Sequence, residues 1–211
     1  MRSSRWLLTL AGVVVLVIAA FVVKDISGPT TASGSSPAQV QLAELPIGAG
    51  HSMAGYSRDR FKHWVTQGNG CDTREVVIER DGKDVRKDAS CRATSGHWTS
   101  PYDNKQISKA SDLDIDHMVP LADAWRTGAD KWTDERRSRF ANDLTAPQLL
   151  AVSAASNRGK GDQDPASWKP STQAYWCTYA TNWVIVKHTY QLFVTRAEHD
   201  ALANMLDSCP S

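Results

Sequence analysis

The chain has 211 residues, 41% of them hydrophobic and 22% charged, with a formal charge of +1. That length suits one domain of ordinary globular composition with a proper core. Without Arg2, Arg5, Lys24 and Asp25 the balance is 21 basic against 22 acidic residues. Composition alone therefore gives no argument for nucleic acid, and such binding needs a local basic patch.

The chain opens "MRSSRWLLTLAGVVVLVIAAFVVKD": Arg2 and Arg5, then 18 apolar or small residues from Trp6 to Val23, then Lys24. A signal-peptide core spans about 7–15 residues and a membrane-crossing helix about 17–25. Residues 1–26 are read as a signal-anchor or signal peptide, an uncleaved anchor being favoured over cleavage after Ala20 or Ala32. The positive-inside rule then puts the rest of the chain outside the cytoplasm, either secreted or held to the membrane by this segment. Residues 27–50, "SGPTTASGSSPAQVQLAELPIGAG", read as a flexible linker. Residues 51–211 are left as the folded domain.

Four cysteines follow, Cys71, Cys91, Cys177 and Cys209, none in a CxxC pair, so a zinc knuckle is disfavoured. In an oxidising compartment they form two disulfides, with three connectivities open. "EVVIERDGKDV" reads as a hairpin around Asp81-Gly82, and residue 81 is the midpoint of Cys71 and Cys91. Thr172–Tyr190 has helical spacing of its apolar residues, and Thr195 with Glu198 forms a capping box for a second helix. Residue 193, between these helices, is the midpoint of Cys177 and Cys209. The expected pairs are therefore Cys71–Cys91 and Cys177–Cys209.

The middle of the chain holds the chemistry. "SDLDIDHMVPLADAW" alternates Asp112, Asp114 and Asp116 with apolar residues, then gives His117 and Pro120. A strand begins here but must end or bend at the proline if Asp116 and His117 are to serve one site. A helix over 133–141 is capped by Thr133. A short apolar strand near Gln148–Val152 follows, then a short helix capped by Ser153 or Ser156 that carries Asn157 and Lys160.

"DHMVP" at 116–120 together with "NRGKGDQDP" at 157–165 resembles the HNH endonucleases. From about Tyr56 to Cys209 the chain is similar to small exported bacterial members of that family. The resemblance implies an α+β domain with a ββα-metal (His-Me finger) core, flanked by the disulfide-linked β-hairpin and the C-terminal helix pair. It implies His117 as general base, Asp116 and Asn157 as oxygen ligands of one divalent ion, Mg²⁺ or Mn²⁺, and Lys160 as a phosphate contact. Asp114 would support the site from behind. The family's middle residue, which pins the loop carrying the base, falls on Gln148 or Asn142, and the sequence leaves both open.

The implied activity is metal-dependent hydrolysis of nucleic acid, DNA before RNA, with little sequence preference, by a monomer without an obligate protein partner. The competing reading is a non-catalytic envelope-binding protein on a nuclease-like fold. Arg136, Arg137 and Arg139 form an exposed helix face that can follow a nucleic-acid backbone. His51, His63, His97, His188 and His199 are read as structural or exposed. The tryptophans from Trp64 to Trp183 are read as core.

Overall fold

The computed structural model describes residues 34–210, so the Trp6–Val23 run and its expected role lie outside the described residues. Among those described, no helix is long and apolar enough to cross a membrane. The expected membrane anchor falls on residues outside those described and is not carried further.

The first element overturns part of the expected linker. Helix α1, Pro37–Glu44, carries a complete capping box between Ser36 and Gln39, with proline in its first turn. Its Ala38 and Leu42 are buried in the core, and it packs on the C-terminal helices. The second half of the expected linker therefore contains a helix. The Gly, Ser and Pro content of 27–50 hid a helix start signal.

Strands β1 (Thr66–Gly68) and β2 (Cys71–Asp72) form a short ladder, and helix α2 (Thr73–Asp81) follows. The hairpin expected around Asp81-Gly82 is thus corrected to a helix and its end. Asp72 caps α2 by accepting from the Glu75 amide, and Val77 and Ile78 are fully buried. Gly82 is required for a different reason: a Cβ there would collide with the Trp98 indole, which donates to the Ile78 carbonyl at 2.8 Å. The true hairpin is formed by β3 (Lys83–Lys87) and β4 (Ala93–Thr99), with β5 (Gln106–Lys109) on its other edge. Cys91 lies in the β3–β4 turn. Its disulfide with Cys71 ties that turn to β2, Cα atoms 5.2 Å apart. The pairing is the expected one, but the structure it closes is not.

Strand β6 (Leu113–His117) pairs antiparallel with β7 (Leu149–Ser153), His117 opposite Leu149. Between them lie the short helix α3 (Leu121–Arg126) and α4 (Asp134–Ala141), the latter capped by Thr133. Helix α5 (Ala154–Lys160), capped by Ser153, packs on both strands. Two antiparallel strands and a helix laid across them thus form the centre of the α+β domain. Alternation along β6 sorts its residues. Leu113 and Ile115 join the apolar cluster with Val77, Trp98 and Leu149, while Asp114 and Asp116 meet α5.

The larger cluster surrounds Trp125, Phe140 and Trp183 and is closed by α6 (Trp176–Tyr190) and α7 (Arg196–Leu206). The expected capping box starts α7. Cys177 and Cys209 are bonded across this helix pair, Cα atoms 4.9 Å apart. Beneath it lies a buried ion cluster. Lys187 reaches Asp123 at 2.8 Å and Glu198 at 2.7 Å, and Trp183 donates to Glu198 at 2.6 Å.

Candidate active site

His117 ends β6 and is 4% exposed. Its Nε2 lies 3.0 Å from the Ala141 carbonyl at the end of α4. A carbonyl only accepts, so Nε2 carries the proton and Nδ1 keeps a free lone pair. Burial lowers the imidazole pKa to about 3, with Arg58, His63 and Lys160 pushing the same way and the Ala141 hydrogen bond opposing. At neutral pH the ring is therefore an uncharged base. Trp64 stacks on it at 5.5 Å with 26° between planes.

Two amides fix this arrangement. Gln148, fully buried, clamps Val119: its Oε1 accepts from the Val119 amide at 3.1 Å and its Nε2 donates to the Val119 carbonyl at 3.0 Å. The loop immediately after His117 is thereby fastened to β7. Asn142 holds a different segment. It accepts from Val65 N at 3.0 Å and from Thr73 Oγ1 at 2.8 Å, and donates to the Lys62 and Ser138 carbonyls, both at 2.8 Å. The two candidates left open by the sequence thus divide the work. Gln148 pins the loop after His117, and Asn142 pins the turn that lays Trp64 on its ring.

Asp116, 4% exposed, faces the opposite side of β6. Tyr102 donates to its Oδ2 at 2.6 Å. Lys160 Nζ donates to Oδ1 at 2.9 Å, to Oδ2 at 2.7 Å and to the His117 carbonyl at 2.8 Å. Three acceptors around one nitrogen require the ammonium form, although burial pulls the Lys160 pKa down and the Asp116 pKa up. All three Lys160 protons are used and the side chain is fully buried. The expected phosphate contact by Lys160 is corrected: this residue neutralises Asp116 and fixes the strand end. Its three-residue spacing from Asn157 indicated a shared helix face but not that Lys160 points inward.

Asn157 donates through Nδ2 to Asp114 at 3.2 Å, which leaves its side-chain oxygen available as an acceptor. The Arg158 guanidinium lies 3.5 Å from the same carboxylate. Asp116, His117, Asn157 and Arg158 line one pocket of about 240 Å³, together with Tyr56 and Arg58. The site residues that the sequence named thus meet, with Lys160 behind rather than in front. Sequence reasoning missed Tyr102, Trp64 and Arg58. Tyr102 belongs to neither quoted motif, and His63, 6.4 Å from His117, is among the histidines read above as structural or exposed.

The basic helix face does not form as expected. Arg137 is 2% exposed and donates to the Ala129 and Trp132 carbonyls. Arg136 stacks on Trp132 and donates to the Tyr190 carbonyl. Only Arg139 of the three is exposed.

Residues 73–205 match the family described as GmrSD restriction endonucleases, C-terminal domain, and the chain belongs to this family, a nuclease-like α+β domain. It is also 51% identical over 181 residues to an uncharacterized secreted protein of Arthroderma benhamiae, covering 86% of this chain and 89% of that one. That relative is fungal, which does not support the expected restriction to a bacterial branch. No solved structure matches the chain.

Proposed function

We propose that this protein is an extracellular metal-dependent endonuclease with an HNH-type ββα-metal site, acting on DNA with little sequence preference. The observation that carries the proposal is His117. A neutral imidazole with one nitrogen fixed by a backbone carbonyl and the other free is built to accept a proton. It opens onto the same pocket as two oxygen-bearing side chains on adjoining elements. The family match supports the nuclease class. The two disulfides and the secreted fungal relative support a location outside the reducing cytosol.

The fit of a divalent ion rests on the donor set. Asp116 has three of its roughly four acceptor positions occupied, which leaves one for a single metal bond. The Asn157 oxygen supplies a second. Among the described residues there is no group of three or more His, Cys, Asp or Glu that could hold a metal. Two oxygen donors leave most of a coordination shell to water, which suits a hard ion that keeps its waters, Mg²⁺ or Mn²⁺. Such an ion supplies charge neutralisation at the phosphate and stabilisation of the leaving oxygen.

The chain's own residues do the rest. His117 Nδ1 takes the proton of the attacking water. Ala141 holds the ring in the tautomer that permits this, and Trp64 covers one ring face. A base with a pKa of about 3 is free but weak; the negative charge of a bound phosphodiester would raise it towards the useful range. Lys160 and Tyr102 keep the Asp116 carboxylate in one orientation.

Incubation of the purified protein with supercoiled plasmid and with RNA, in Mg²⁺, Mn²⁺ or chelator, tests the proposal. Nicking of the plasmid that needs the metal supports it. Intact DNA and RNA under every condition would refute it.

A further inference from the structure

The pocket beside His117 is crowded with charge, and almost all of it is matched. Asp116 is held by Lys160. Asp162 accepts from Arg126 at 2.7 Å. Asp114 faces Arg158 at 3.5 Å. The exception is Arg58, on the single helical turn Arg58–Arg60. It is exposed and lines the pocket, and its side chain makes no hydrogen bond or ion pair among the described residues. Its neighbour Arg60 is engaged: its guanidinium sits 4.9 Å over the Trp125 ring and donates to the Gly55 carbonyl at 3.2 Å. Arg58 is therefore the uncompensated positive charge of the pocket. Its field reaches both Asp116 and His117, lowering the pKa of each.

We infer that Arg58 binds the non-bridging oxygens of the scissile phosphate, so that the segment preceding the family-matched residues 73–205 completes the substrate site. The inference rests on the phosphodiesterase reading above and adds to it an anion subsite. A planar guanidinium presents paired donors that match two phosphate oxygens. Among the described residues, the other cation lining the pocket, Arg158, is shared with Asp114, and nearby Arg126 is engaged by Asp162. The turn that carries Arg58 is anchored from both sides. Ser57 caps it by accepting from the Asp59 amide at 3.2 Å, and the fully buried Phe61 follows it.

The test compares the parent with Arg58→Ala, Arg58→Lys and Arg86→Ala, the last being an exposed arginine on β3 used as a charge control. The probes are a phosphorothioate-substituted duplex, titrated in chelator at several salt concentrations, and inorganic phosphate. Arg58→Ala should weaken duplex binding about tenfold or more and flatten the salt dependence by about 0.9 in log–log slope. Arg58→Lys should restore part of the affinity, and Arg86→Ala should match the parent. Because the Arg58 side chain makes no hydrogen bond or ion pair among the described residues, the thermal midpoint of Arg58→Ala should stay close to that of the parent. A parent that cleaves DNA while Arg58→Ala binds both probes as the parent does overturns the inference and leaves the nuclease reading intact. Phosphate binding that depends on Arg58 in a parent that never cleaves DNA sustains the anion subsite and overturns the nuclease reading. A parent that binds neither probe overturns the inference, and the nuclease reading then stands or falls on the cleavage assay alone.

Discussion

Lys160 and Asp116 are locked together: the lysine Nζ donates to the two carboxylate oxygens at 2.9 and 2.7 Å, and both side chains are buried. This pair joins α5 to β6 and sets the depth of the proposed site. Removing one partner leaves a buried charge alone, which costs about 3–5 kcal/mol. Lys160→Met should therefore lower stability by that amount in denaturant unfolding. The double variant Lys160→Met with Asp116→Asn should recover part of the loss. A cost of the single variant below about 1 kcal/mol would show that the pair does not hold the strand end.

His117 gives a prediction in pH. Its native pKa, about 3, lies below the ordinary 6.5. The unfolded chain thus binds this proton more readily between those values, so the stability it contributes is complete above about 6.5 and declines as pH falls towards about 3. The imidazole resonances of His117 should stay those of the neutral, Nε2-protonated ring from pH 8 to about 4. His117→Gln should flatten the acid slope of stability. A ring titrating near 6.5 would contradict the burial and the carbonyl contact.

How much of this was legible in the sequence depended on whether the signal was local. Thr133, Ser153 and the Thr195–Glu198 box each cap the helix that follows, so α4, α5 and α7 could be read directly. The β6–β7 pair was legible as two short apolar runs. The α2 segment failed because Val76, Val77 and Ile78 resemble a strand and Asp81-Gly82 resembles a tight turn, whereas the Asp72 cap and burial against Trp98 decide for a helix. For the site, Asp116, His117 and Asn157 carried side-chain identities that chemistry recognises. Ala141 did not: it contributes a backbone carbonyl 24 residues from His117, and any residue has one. Arg58 and Trp64 reach the site only through the fold, which no local pattern records.

Gln148 should act through the loop rather than through chemistry. Gln148→Ala leaves the Val119 amide and carbonyl without their side-chain partners inside the protein, and each such loss costs about 1–3 kcal/mol. Unfolding measurements should register this, with faster amide exchange at Val119. Gln148→Glu should keep only the bond from the Val119 amide and fall between parent and alanine variant. An alanine variant as stable as the parent would show that the loop is held by other contacts.

The disulfides should matter separately. Cys177–Cys209 closes the α6–α7 pair and Cys71–Cys91 fastens β2 to the β3–β4 turn. Replacing either pair by serines should cost about 2–5 kcal/mol. Loss of Cys177–Cys209 should increase exchange in α7, whereas loss of Cys71–Cys91 should increase it around residues 88–92. The reverse pattern in hydrogen exchange would contradict the placement of the two links.

Asn157 separates metal binding from helix architecture. Ser153 already caps α5, so Asn157→Ala should leave the thermal midpoint nearly unchanged while weakening Mn²⁺ binding in calorimetric titration. Asn157→Asp should keep or strengthen the ion but slow cleavage, because it adds negative charge where a phosphate must enter. Parent-like binding and cleavage by both variants would remove Asn157 from the site.

His117, as the proposed base of a phosphodiesterase, should control the chemical step itself. Single-turnover cleavage of a defined DNA duplex in Mn²⁺ by the parent and by His117→Ala tests it most directly, with circular dichroism and Mn²⁺ titration to show that fold and ion site persist. The single-turnover rate should fall by about 10²–10⁴ in the variant. A folded, ion-binding His117→Ala protein that cleaves at the parent's rate would contradict it.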